Sequence, residues 1–499
     1  MNQLKLTLEK ILSHAAFKNI DQDALIQKVG NKAGANKKCS ELKPTTPPTS
    51  GPSKNPSGNA SGEISEIPAE GIKITESGLY KFTQTINWDA ADAACAAITI
   101  EANDVIIDMC GHELSATVGD SSQSIIGIYT QNTKNICITN GTLINMCLHG
   151  VQANNVEDLI ISKLLISGLA YNNLNIRSAC PSGITVCGGS KAILDGCTVQ
   201  YGYFTADSCS GIRLSHTEET IVRNCNVDNM INYAGSVQGF SYFLSNVVKT
   251  LNCHSSNFQS HFGGNIRAVG HTVIGFLPIA CTAIEFANCS SSKLTGCNDD
   301  CHGLSAFLCL DIMISHFKAQ HIIDGVCPEH TGAKATGVEI YGVDATLIDC
   351  SADSVKAINP QDKQCAGFSF WGVGIKVTNC TASNILVCDQ HGDYDTSIGY
   401  GMGFAWAPDP RKSLNITGAN FVTYDNCQAI NCQVGFDTWS HIDSEWKDVR
   451  YSNCDINILV QPGGKRILSG NLGSECNPPI TSIVDNIAQG NVYPLQYET

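Results

Sequence analysis

Charge is scarce in this chain: only 15% of its 499 residues are Asp, Glu, Lys or Arg, and they contain no basic run. With a net charge of −15 it lacks the electrostatic footprint by which a protein holds a nucleic-acid backbone. No apolar stretch approaches the length of a membrane span. The N-terminus MNQLKLTLEKILSHAAFK has no uninterrupted apolar segment and no small-residue cleavage site, so no classical secretory leader is expected. Among 25 cysteines there is no Cys-x-x-Cys pair, which argues against a zinc framework. Together these features predict a chain made in a reducing compartment, cytoplasmic or exported without a classical signal, whose thiols are mostly free and buried.

What the sequence does have is one recurring phrase: two or three apolar residues, a small polar residue or two, then Cys. It stands as VRNCNV at Cys225, FANCSS at Cys289, LIDCSA at Cys350, VTNCTA at Cys380, YDNCQA at Cys427 and YSNCDI at Cys454. LDGCTV at Cys197, LNCHSS at Cys253 and DMCGHEL at Cys110 belong to the same set, with Thr142, Leu164 and Phe317 filling the Cys slot in weaker copies. The mean step is about 31 residues, a period that marks stacked units too small to bury their own apolar faces.

Between the phrases the chain is rich in Ile, Val, Thr, Gly and Asn, alternates over short runs and has no sustained helical period, as in ITVCGGSKAILDGCTVQ. This predicts an all-β fold, a parallel β-helix of about twelve coils or more. Equivalent side chains then stack about 4.8 Å apart on neighbouring turns. A repeated inward slot favours a small, weakly polar side chain such as Cys, and Asn beside it can form amide ladders.

The chain divides accordingly. Leu4, Leu8, Ile11, Leu12 and Ala15 fall at helical spacing, and residues 1–30 are expected to form a helical arm suited to a protein partner or to self-association. Residues 31–68, including KPTTPPTSGPSKNPSGNASG, have the composition of a flexible linker. The β-helix is expected over 69–480 and a cap or tail over 481–499.

The entry GIKITESGLYKFTQTINW, followed by AITIEANDVIIDMCGHELSAT, resembles the opening turns of right-handed parallel β-helix proteins of the pectin-lyase-like superfamily. Asp108, Gly111 and His112 match a phrase of those turns, with Cys110 in place of the usual Asn. The resemblance implies a substrate groove along the coil, polysaccharide as the usual ligand, and functional residues projecting from neighbouring turns. No specific enzyme family is matched. NDDCHGLS at 298–305 resembles two polygalacturonase signatures run together, without the downstream Arg-x-Lys. DQHGDYD at 389–395 resembles a mannuronan-epimerase signature in which Gln390 replaces Pro and Gly392 is inserted.

Measured from the Cys slot, polar residues share a phase some ten to fifteen residues on. Asp299, Asp300 and His302 follow Cys289, while Asp389, His391, Asp393 and Asp395 follow Cys380. Glycan hydrolysis needs one carboxyl to protonate the leaving oxygen and another to activate water, so Asp299, Asp300, Asp389, Asp393 and Asp395 are the candidate acids and bases, with His391 as proton carrier. Trp406, Tyr394, Trp371 and Trp439 are the candidate sugar platforms. No cofactor is required, although such carboxylates are of the kind calcium accepts. Two readings stay open: a scaffold that binds carbohydrate or a protein partner, and a lyase, epimerase or hydrolase acting on polysaccharide.

Overall fold

The computed structural model describes residues 60–90, 96–117, 125–172, 180–261, 272–297, 300–325, 333–360, 365–391, 393–394, 400–406, 420–438, 442–460, 466–469 and 486–489. They fall in two compact units, whose described parts are residues 60–261 and 272–489; each is built of parallel strands, and no helix occurs among the described residues. The expected arm at 1–30 lies outside the described residues. The first strand, Ala60–Ile64, stands within the stretch read as linker and pairs in parallel with Gly78–Phe82. Ile64 and Ile67, which close that Ser/Gly-rich tract, are buried and supply the apolar contact that the rest of it lacks.

In residues 60–261, one coil consists of Ser208–Ser215, Glu218–Arg223 and Asn226–Asn232, and the next of Ser236–Phe243, Asn246–Leu251 and His254–Ser260. Each strand lies parallel to its counterpart, with Ile212 beside Phe240, Thr220 beside Val248 and Val227 beside Ser255. The corners are left-handed residues: His216, Glu219, Asn224 and Asn229 in the first coil, Leu244, Val247, Asn252 and Asn257 in the second, with φ between 50 and 58°. Asn tolerates this conformation better than most residues with a side chain, and that is why it precedes Cys in the phrase. Its amide also bridges coils. Asn252 donates to Asn224 at 3.3 Å and Asn224 to Asp195 at 2.9 Å; in residues 272–489, Asn426 donates to Asn379 at 2.8 Å.

The Cys that follows each corner points inward. Cys197, Cys225, Cys253, Cys289, Cys350, Cys380, Cys427 and Cys454 are all buried, as are Leu164 and Phe317. Each thiol finds its acceptor locally, in the carbonyl two residues back: Cys225 on Arg223 at 3.2 Å, Cys350 on Ile348 at 3.3 Å, Cys380 on Thr378 at 3.3 Å. A buried Cys at these turns therefore has a local backbone acceptor for its weak donor. Apart from Cys297, which is disulfide-bonded, the described cysteines form no disulfide with one another.

Register corrects the phrase at both ends. Cys110 is exposed, at φ 52°, and Met109 fills the core in its place, its side chain lying over Gly141. Gly141, not Thr142, pairs with Leu164. At the far end Gln428 pairs with Arg450, so Val449 follows Cys427 in the rung and Cys454 follows Cys432. The extra inward position five residues after the rung is a second corner, which the Asn-Cys phrase alone does not reveal. In the core of residues 272–489 the rings of Phe368, Phe404 and Phe436 lie nearly parallel, with centroids 5.0 and 4.7 Å apart.

Candidate functional site

One place where the coils differ in length is the connection that follows the strand carrying the second corner. In residues 272–489 these connections leave Ser290–Thr295, Lys318–Asp324, Ser351–Ile358 and Thr381–Cys388, and return at Cys301, Ala335, Cys365 and Gly401. Because the coils stack in register, the connections share one edge, and that edge carries the acidic phase read in the sequence. Loops held on a rigid coil are the natural carriers of function.

Asp389, His391, Asp393 and Tyr394 form a tight turn there. The Asp389 carboxylate accepts the backbone N–H of His391 at 2.8 Å and of Asp393 at 2.9 Å, while the Asp389 N–H donates to the Asp393 carbonyl at 2.7 Å. His391 Nε2 lies 3.1 Å from Gln390 Nε2. Cys388 and Tyr394 form an antiparallel bridge, and the Tyr394 ring is 52% exposed. Asp389 thus holds the turn, and the turn holds an aromatic ring in solvent.

Beside this edge, on the face of Cys301–Ser315 and Ala335–Ile348 opposite the core, stands a buried ionic cluster. Glu339, 2% exposed, is in contact with Lys334 Nζ, accepts the Ser305 hydroxyl at 2.9 Å, and lies 3.7 Å from His302 Nε2. The Lys334 N–H donates to Asp324 at 2.8 Å. Burial pulls the Lys334 ammonium down, but the charges of Glu339, Asp300 and Tyr341 outweigh it, and its pKa stands above the ordinary lysine value. Asp300 is therefore a sequence-predicted residue that bears on this cluster. Next to it runs an aromatic column, Phe307, Tyr341 and Trp371, with centroids 5.4 and 5.0 Å apart; Trp371 is 4% exposed.

Asp299, Asp395 and Trp439 lie outside the described residues, and Trp406 ends the strand Gly401–Trp406 beside Phe370. Among the described residues no three His, Cys, Asp or Glu side chains come together as a metal site. Lys334 and Glu339 are absent from the residues predicted. The signal for Glu339 is a lone carboxylate between Val338 and Ile340 in GVEIYGV. No helix among the described residues is long and apolar enough to cross a membrane.

No protein family matches the sequence, and no curated protein matches it. Among solved structures, the chain is similar to the catalytic domain of a GH87 α-1,3-glucanase in complex with nigerose, at 9% identity and TM-score 0.36, over 85% of this chain and 69% of that one. It is similar to the pre-mature gene product 12 of bacteriophage phi29, at 10% identity and TM-score 0.43, over 81% of this chain and 57% of that one. A polygalacturonase from Erwinia carotovora is similar at 8% identity and TM-score 0.32, over 88% and 99%. The described residues themselves form the all-β parallel coil that the repeat in the sequence predicts.

Proposed function

We propose that this chain is a carbohydrate-binding β-helix, a rigid scaffold that presents its ligand-holding groups on the edge where Thr381–Cys388 ends and the turn of Asp389, His391, Asp393 and Tyr394 begins. The observation that carries this reading is the Asp389 turn. Its carboxylate is occupied by two backbone amides, and the group it delivers to solvent is the ring of Tyr394. An aromatic face fixed at a loop tip suits the apolar face of a sugar ring, which binds by contact area at little entropic cost. The cluster around Glu339 favours the same reading, since a carboxylate paired with a buried ammonium and a hydroxyl stiffens the edge from behind.

The enzymatic reading rests on a different observation, the approach of His302 to Glu339 within a buried, charged setting. One experiment separates the two. The protein is run in affinity gels containing a panel of polysaccharides, and the same mixtures are assayed for released reducing ends and for unsaturated products. The expected result is retardation by a polysaccharide without product, weakened about tenfold by Tyr394→Ala. Product release that disappears in Glu339→Gln, or in Asp393→Asn with Asp395→Asn, would overturn the scaffold reading in favour of an enzyme.

A further inference from the structure

Residues 60–261 carry an aromatic surface of their own. Tyr201 and Tyr203 on the strand Thr198–Thr205 and Tyr233 just after the strand Asn226–Asn232 are 46%, 48% and 43% exposed, and the strand His254–Ser260 follows in the next coil. Tyr203 pairs with Ile231 in the next coil, and the Tyr233 N–H donates to the Phe204 carbonyl, so these rings sit on adjacent coils of one strand column. The column continues into His261, whose ring stacks on Tyr233 at 5.6 Å with 18° between planes and whose Nε2 lies 3.0 Å from Gln259 Oε1.

Tyr201 adds an independent observation. It occupies a left-handed corner at φ 55°, the position that Asn229 and Asn257 fill in the next two coils. A bulky aromatic at positive φ is a costlier choice than the Asn that fills the same corner in the next two coils. The surface also has a charge signature. Residues 198–210, 226–241 and 254–261 contain no Lys or Arg, while Asp207 and Asp228 flank the rings. An anionic polymer would meet only repulsion there. A neutral glycan would meet aromatic rings and a glutamine amide.

We propose that Tyr201, Tyr203, Tyr233 and His261, all within residues 60–261, form a binding platform for a neutral polysaccharide lying along the coil stack. The proposal shares with the previous one only the chemical class of ligand, and the variants that test the two do not overlap. Affinity gels are cast with hydroxyethyl cellulose, dextran or galactomannan, and with polygalacturonate as the acidic polymer, for the parent chain, Tyr201→Asn, Tyr203→Ala with Tyr233→Ala, and Tyr394→Ala. Expected is retardation of the parent by a neutral polymer, a loss of about tenfold in affinity in the double variant, and weaker binding by Tyr201→Asn. A melt of the same proteins supplies the second readout: Tyr201→Asn keeps or raises the melting temperature, because the corner gains the residue it favours. A merely structural tyrosine would show the opposite, a lowered melting temperature with binding unchanged. The proposal is overturned if no neutral polymer retards the parent, if polygalacturonate alone does, or if the double variant binds as the parent does. Loss of binding in Tyr394→Ala alone would assign the glycan to the loop edge and likewise overturn it.

Discussion

Replacing Glu339 by Ala is expected to destabilise residues 272–489 by about 3 to 5 kcal/mol, the cost of removing one partner from a buried ion pair. The change leaves the Lys334 ammonium among groups that exclude water, and it removes the acceptor of the Ser305 hydroxyl. The pair itself need not be worth that much. Glu339→Leu combined with Lys334→Met, which removes both charges, is expected to be nearly neutral. The pH dependence has a definite sign. The pKa of Lys334 is raised in the folded chain, so its contribution is complete below the ordinary lysine value of about 10.4 and is lost as pH climbs beyond it. Without Glu339 the principal raising charge is gone while burial still pulls Lys334 down, so the deficit of the variant narrows as the solution becomes alkaline. Urea unfolding at several pH values, read by tryptophan emission, measures each of these. A loss under about 1 kcal/mol in Glu339→Ala would show that water reaches the pair.

A comparable loss is expected from Phe404→Ala, about 3 to 5 kcal/mol. Phe404 is wholly buried between Phe368 at 5.0 Å and Phe436 at 4.7 Å, and Tyr424 meets its edge at 5.8 Å. A truncated ring leaves a cavity that its neighbours cannot close, because each is fixed by the coil on which it stands. Phe404→Leu, which retains most of the volume, should cost well under half as much. Equal losses in the two variants would mean that the stack contributes through ring geometry rather than through filled space.

The coil was legible because its inward slot repeats in sequence: an Asn in the left-handed corner and a Cys whose thiol finds its own carbonyl leave the same short phrase at many turns. The rest of each coil is less uniform. Its other corners carry residues as different as Tyr201, Glu219, Val247 and Lys163, all at positive φ, and no pattern of residue type announces them. The same blindness explains the register at Cys454, where a Cys after an Asn sits at the second corner, over Cys432, and reads as the first. Cys110 misleads for a related reason, since Met109 supplies the buried side chain one residue earlier. At the edge, the acidic phase falls on the connections, for those follow a strand and collect Asp and His. The cluster of Lys334, Glu339 and His302 brings a connection together with two strands of different coils, a juxtaposition that spacing along the chain does not reveal. Tyr201, Tyr203 and Tyr233 stand in YGYFT and NYAG among many other short aromatic phrases, and only the stacking of coils places them side by side.

The most direct test of the stacked coil is a residue-resolved alkylation map of the native protein, with each cysteine followed by mass spectrometry before and after unfolding. Exposed Cys110 should label first, half-buried Cys137 and Cys187 more slowly, and Cys225, Cys253, Cys289, Cys350, Cys380, Cys427, Cys432 and Cys454 only when the chain unfolds. Rapid labelling of these rung cysteines in the native protein, with Cys110 protected, would contradict the inward ladder and the register built on it.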